Sequence, residues 1–302
     1  MLDLHRLRLL RELSHRGTLA AVAAALAYSP SAVSQQLAKL ESETGVPLLE
    51  RIGRGVRLTP EAEVLVTHTE AVLTRLERAE ADLATSADHL VGTVRMAVFQ
   101  SVAFAFVPPV LTWLAAQHPR LSVNIDVREP EDAIAGLLTH DFDLVVDEEF
   151  PGAPMAPDER LDREVMLDDP ILLVVPTSWS PIQDITELAE RPWALEPSGT
   201  RARAWAETFC RDRGFEPDVR FAFDDLPMRL RMVETGHAAA LLSDLSPIRE
   251  GSPVTAIALP NGPVRRIYTV VRRGTATHPV SIALRQALHD AAAARQPLQV
   301  RE

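Results

Sequence analysis

The sequence predicts an α/β protein with a small, separate all-helical head, and three observations carry this. Residues 1–60 hold eight Lys/Arg against five Asp/Glu, residues 61–90 hold two against seven, and residues 91–302 hold 21 against 30, so a basic segment precedes an acidic body. In the first part, apolar residues recur at helical spacing and the pairs Ser29-Pro30 and Thr59-Pro60 supply cap-then-proline helix starts. From Thr93 onward the period changes, and alternating apolar runs are separated by helical stretches, the pattern of strand–helix–strand units.

The head begins with Asp3 as cap of a first helix whose Leu4, Leu7, Leu10 and Leu13 recur in threes and which Gly17 closes. Thr18 caps a second helix, Leu19 to Ala27, made of small apolar residues, and Ser29-Pro30-Ser31 starts a third after a tight turn. On that third helix Val33, Leu37 and Leu40 share the inward face. Its outer face carries Ser31, Ser34, Gln35, Ala38 and Ser42, which are short and uncharged. A solubilising face usually carries Glu and Lys pairs, whereas short donors and acceptors suit a helix pressed into a major groove. Leu49 to Leu58 then reads as two short strands around a Gly-rich turn with Arg51, Arg54 and Arg57, a wing suited to phosphates. A solvated hairpin is the plainer reading of the three arginines alone.

From Thr59-Pro60-Glu61 no breaker follows until about Asp88, which predicts a helix near 28 residues long. Leu65, Thr69, Val72, Leu76, Ala79 and Leu83 form a heptad seam along it, suited to pairing with a second copy; packing on its own body is the alternative.

The body opens with strand Val94 to Val98, a helix to Gln117, strand Leu121 to Val127, helix 131–140 and strand Leu144 to Val146, a β-α-β-α-β unit with a parallel sheet. A second series runs from strand Ile171 to Val175 through Trp193 to Leu195, helix 201–213, strand 219–223, helix 227–235 and strand 238–242, predicting a second, similar lobe. Ligands of such sheets bind at the carboxyl ends of the strands, here Gln100-Ser101, Asp147 to Phe150, Ser198-Gly199-Thr200 and Phe223-Asp224. Asp147-Glu148-Glu149 would repel anions and pair with an amino or guanidino group, or stand solvated.

Other classes of protein fit less well. Apolar residues at 46% against 24% charged exclude a disordered chain. The lone cysteine, Cys210, excludes an internal disulfide, a CxxC pair and a zinc knuckle, and agrees with a reducing, cytoplasmic setting. MLDLHRLRLLREL alternates charge and so predicts no signal peptide. Met96 to Pro119 is uncharged, but Gln100, Ser101, Thr112, Gln117, His118 and Pro108-Pro109 argue against a membrane span. PSGTR is not GxSxG, neither a P-loop nor GxGxxG occurs, and the histidines lack the HExxH spacing, so neither catalysis, a metal nor a cofactor is expected.

The order SPSAVSQQLAKLESETGVPLLER followed by GRGVRLTPEAE resembles the N-terminal domain of LysR-type transcriptional regulators, and the likeness extends over nearly the whole chain. The resemblance implies a winged helix-turn-helix over 1–59, a linker (dimerisation) helix over 60–90, and an effector domain over 91–302. That domain would be periplasmic-binding-protein-like, with two Rossmann-like lobes, lobe I 91–163 and 268–302 and lobe II 164–267. It further implies base-edge contacts by Pro30, Ser31, Ser34 and Gln35, phosphate contacts by Thr18, Lys39, Arg51 and Arg54, and a palindromic double-stranded DNA partner read by a homodimer or homotetramer. Lys39, the only lysine, would then be unavailable as a nucleophile. Effector contacts fall on Gln100, Ser101, Phe150, Ser198, Gly199, Thr200 and Asp224. A solute-binding or enzymatic α/β protein with helices for assembly remains the alternative.

Overall fold

A computed structural model describes residues 1–53, 55–85, 89–179 and 181–298; the expected phosphate contact Arg54 lies outside them. In the head, α1 (Leu4–Arg16), α2 (Leu19–Ala25) and α3 (Pro30–Thr44) are each started by the expected cap, with Asp3, Thr18 and Ser29 side chains accepting from the backbone of Arg6, Ala21 and Ala32. Gly17 and Gly45 close α1 and α3 at φ 74°, a conformation a Cβ would strain. Helix α2 stops two residues before the predicted end, where Ala27 turns at φ 55°. Leu7, Leu10, Leu13, Val33, Leu37 and Leu40 form the core as predicted, but Leu4 is exposed and Leu9 takes an inward place. Strands β1 (Leu49–Ile52) and β2 (Gly55–Leu58) pair antiparallel, Leu49 opposite Leu58, as the wing.

Helix α4 (Pro60–Ala84) is capped by Thr59 and is shorter than the predicted 28 residues. Its first turns complete the head core through Ala62, Leu65 and Val66. Farther along, Glu77 accepts from Arg272 Nε at 2.6 Å, and Gly274 allows the close approach, since a Cβ there would meet the Thr74 carbonyl at 2.8 Å. Val72, Leu76, Ala79 and Leu83 remain exposed, Leu83 to 77%.

The first lobe follows the predicted order: β3 (Gly92–Val98), α5 (Gln100–Gln117), β4 (Leu121–Val127), α6 (Pro130–Leu138) and β5 (Leu144–Glu149), with β3 parallel to both β4 and β5. The second lobe differs from the prediction of a similar parallel sheet. Strand β6 (Leu161–Pro176) is far longer than its predicted Ile171–Val175 core. Its first half pairs antiparallel with β11 (Val264–Arg272), and its second half pairs antiparallel with β9 (Ala240–Ser243) and β10 (Val254–Ala258). β7 (Pro192–Leu195) and β8 (Asp218–Ala222), flanking α7 (Arg201–Arg211), pair parallel there, with a single parallel bridge from Trp193 to Ala239 and α8 (Leu226–Glu234) following β8. β11 also pairs antiparallel with β5, so one sheet in the order β10-β6-β11-β5-β3-β4 runs through both lobes. The last helix, α9 (Pro279–Ala293), packs its Leu284, Ala287 and Leu288 into the first-lobe core beside Phe106 and Leu114, as predicted for a chain that returns to its starting lobe.

The two lobes keep separate interiors. Met96, Val98, Val102, Phe106, Leu144 and Ile267 pack in the first, and Leu173, Val175, Trp193, Leu195, Phe209 and Ala239 in the second. What joins them is the pair of crossing strands and the polar groups between them.

Candidate functional site

Two surfaces emerge from this fold. On the head, Ser31, Ser34, Gln35, Ala38 and Ser42 are all exposed on the outer face of α3, and Thr18, Pro30, Lys39 and Arg51 are exposed beside or near it. The hydroxyls of Thr18 and Ser29 are already occupied as helix caps, and Ser31 shares a hydrogen bond with Ser29 at 3.0 Å. Ser34, Gln35, Lys39 and Arg51 bond to no other side chain among the described residues, so their donors and acceptors face outward. By contrast Arg57 is held by Glu50 at 2.9 Å.

The second surface is a small cavity between the lobes, lined by residues of both. Of the predicted strand-end residues it brings together Gln100, Ser101, Phe150 and Asp224. Ser198, Gly199 and Thr200 do not line it. Thr200 uses its hydroxyl locally, donating to Pro197 O and accepting from Arg203 N as the cap of α7, and the helix presents Ala202, Trp205 and Ala206 to the cavity instead.

Two of the predicted residues are engaged between elements. Gln100 latches the lobes: its Nε2 donates to Asp224 O at 2.8 Å and its Oε1 accepts from Leu226 N at 2.7 Å. Ser101 Oγ accepts from Arg265 Nη2 at 2.6 Å. Arg265 is the centre of the site and was missed by the sequence reading. It is only 8% exposed, lies on β11, and also donates to Asp169 Oδ2 (2.8 Å), Glu148 Oε2 (2.6 Å) and Ser243 Oγ (2.7 Å). Burial outweighs this arginine's charge at both carboxyls, so Glu148 and Asp169 sit above the usual carboxylate range.

The acidic triplet at the end of β5 is thus answered from within the chain. Asp147 meets Arg201 at 2.8 Å and Arg163 at 3.2 Å, Glu148 meets Arg265, and Glu149 accepts from Met155 N at 3.2 Å. Neither a solvated rim nor an external cation is needed for these three. Phe150, at the same strand end, stacks on Trp205 with ring centroids 5.8 Å apart and forms an apolar wall. Arg229 of α8, also unforeseen, pairs with Glu196 across from it; burial and the neighbouring Arg265 lower its pKa to about 10. Glu129, at the start of α6, also lines the cavity and is close enough to Arg229 to feel its charge. Among the described residues no group of His, Cys, Asp and Glu is arranged to hold a metal, and no helix is long and apolar enough to cross a membrane.

The comparisons with known proteins match each of the two parts to a family. Residues 4–63 match the bacterial regulatory helix-turn-helix protein, lysR family, and residues 87–293 match the LysR substrate binding domain. The HTH-type transcriptional activator IlvY of Salmonella typhimurium is 24% identical over 96% of each chain. A full-length OxyR from Pseudomonas aeruginosa has the same fold at a TM-score of 0.72, with 17% identity and 100% of this chain and 99% of that one covered. Full-length CbnR solved with its target DNA matches at a TM-score of 0.53 and 19% identity, covering 96% of this chain and 100% of that one. With two family models spanning both head and body in the order of the fold, the chain belongs to the LysR family of helix-turn-helix transcriptional regulators.

Proposed function

We propose that this regulator reads an operator with α3 and the wing, and that a small effector held in the inter-lobe cavity sets the position of its heads. The units are the head 1–59, the linker helix 60–90 and the effector domain 91–302, working in the cytoplasm. Base edges fall to Pro30, Ser31, Ser34 and Gln35, and phosphates to Thr18, Lys39, Arg51 and Arg54. The effector falls to the cavity that Gln100, Ser101, Phe150 and Asp224 line, with Ser198, Gly199 and Thr200 at the start of α7 beside it.

The observation that carries the coupling is α6. Its first residues adjoin Glu129 at the cavity, and its last carbonyls receive the head: Arg11 donates to Leu138 O, and Arg16 donates to Thr139 O at 3.3 Å and to Asp141 at 2.9 Å. Arg11 is 2% exposed and also tied to Glu12 and Glu70, so the contact is a packed one. A nine-residue helix spans about 14 Å at 1.5 Å per residue, and it joins cleft to head without a flexible segment. An effector that prefers one lobe arrangement shifts α6 and with it the head. The exposed Val72, Leu76, Ala79 and Leu83 pair with a second copy, since one recognition helix covers half of a palindromic site.

The test is titration of the full chain against the DNA upstream of its own gene. Binding that exceeds random DNA and weakens steeply with salt is expected; equal affinity for both would refute the reading.

A further inference from the structure

Beside the crossing strands β6 and β11, the segment that follows α9 makes a further connection between the lobes. Helix α9 ends at Ala293, with Ala291 and Ala292 against the first-lobe core. The chain then leaves the helix, and Leu298 packs against Leu172, Val174 and Leu230 of the second lobe. Pro297 fixes the backbone φ between these two anchorages, so the segment has little slack.

Both ends of the segment converge on Asp244, the residue after β9, which is only 3% exposed. Arg295 Nη1 donates to its Oδ2, Arg295 Nη2 to its backbone carbonyl, and Leu298 N to its Oδ1 at 2.7 Å. The Asp244 N–H in turn donates to Pro170 O at 2.9 Å, and Pro170 is where β6 leaves β11 and begins to pair with β9. Leu245 puts its side chain into the first-lobe core and its N–H on Asp169 Oδ1 at 3.2 Å, the carboxylate that Arg265 pairs with. Ser243 and Ser246, at the two ends of this turn, line the cavity. Chain ends are poorly ordered unless tied down, and here the tie is a buried, charge-assisted one at the lobe crossing.

We propose that the segment Arg295–Leu298 is a brace that sets the resting angle between the lobes, with Arg295 and Asp244 as positioning residues for the part of the cavity wall that Ser243 and Ser246 form. A rotation of the lobes about Pro170 changes the distance from α9 to the second-lobe core, and a short segment pinned at both ends resists it. Without the brace α9 keeps its own packing through Leu284, Ala287 and Leu288, so both lobes stay folded while their relation loosens. The brace does not depend on what the cavity binds; its effect on the heads rests on the coupling proposed above.

The experiment measures the lobe-to-lobe distance in the full-length protein with no ligand added. Gln117→Cys at the end of α5 and Glu190→Cys in the second lobe give exposed sites for spin labels, and buried Cys210 stays unlabelled. Labelled chain is diluted into excess unlabelled chain, so that pulsed dipolar spectroscopy reads distances within one protomer. Arg295→Met should broaden or shift the distance distribution and speed hydrogen exchange in segment 243–246 by about tenfold. A chain ending at Ala294, which opens Asp244 to water instead of leaving it buried and unpaired, should do the same and decides the matter if Arg295→Met fails to fold. Gln296→Ala, an exposed position in the same segment, should change neither. If Arg295→Met and the shortened chain melt at lower temperature but keep the parental distance and exchange, the segment is packing alone and the brace is overturned. A changed lobe distance with unchanged operator affinity upholds the brace and refutes only its coupling to the heads.

Discussion

Replacing Arg265 with methionine keeps roughly the aliphatic stem of the side chain and removes a guanidinium that reaches four acceptors, each on a different element. Glu148 on β5 and Asp169 on β6 lose their charged partner, and the Ser101 and Ser243 hydroxyls lose their donor. Asp169 is fully buried and Glu148 nearly so, so water does not replace what is lost. Stripping one partner from a buried charge cluster costs about 3–5 kcal/mol, and we expect a loss of that size for the effector domain at pH 7.5 in urea denaturation.

The loss should depend on pH in a definite sense. Burial holds both carboxyls above their ordinary range, so between about pH 4 and their folded values the native state binds more protons than the unfolded one. Stability associated with these groups is therefore present at low pH and falls as pH rises through that window. Removing Arg265 raises both folded pKa values further and extends the window upward, so the penalty of the variant should shrink on going from pH 7.5 to pH 5. Adding Glu148→Gln to Arg265→Met should recover part of the loss. A penalty below about 1 kcal/mol, or one that does not change with pH, would refute the reasoning that Arg265 neutralises buried charge at the lobe crossing.

Further predictions concern the other surfaces. Gln35→Ala should cost about 1–3 kcal/mol on the operator and little on random DNA, as measured by fluorescence anisotropy, whereas Arg51→Ala should weaken both alike and reduce the salt slope by about 1. Leu76→Asp places a charge in the exposed seam of α4 and should lower the mass seen by analytical ultracentrifugation without altering the melting of the effector domain; an unchanged mass would place assembly elsewhere. Cys210 is fully buried and its thiol is pushed up to about 12, so Ellman's reagent should label the native chain only on the timescale of unfolding.

Local chemistry made the head readable. Asp3, Thr18, Ser29 and Thr59 each announce a helix start by a side chain that bonds three residues ahead, and the structure has all four. The first lobe was equally legible, because β3, β4 and β5 are separated by helices that dictate parallel order. Strand β6 was not. Its first half, Leu161 to Pro170, is so rich in charge that it reads as a loop, and it is extended because distant arginines meet those charges: Arg285 at Asp162 (2.8 Å) and Glu164 (2.7 Å), and Arg266 at Asp168 (2.8 Å). The same holds for the cavity. Arg265 lies at the amino-terminal start of β11 and Arg229 inside α8, neither at the carboxyl end of a strand, and their partners lie 22 to 164 residues away along the chain. No local spacing encodes such pairs.

The central claim is that occupancy of the inter-lobe cavity moves the heads, and the distance between heads measures it. Ser42 lies on the outer face of α3 and can carry a spin label as Ser42→Cys, while buried Cys210 stays unlabelled. Pulsed dipolar spectroscopy of the assembled protein, recorded with and without a small molecule that raises the melting temperature of the full chain, should show the separation of the two α3 helices change on ligand addition. An identical distance distribution with and without saturating ligand would contradict the account.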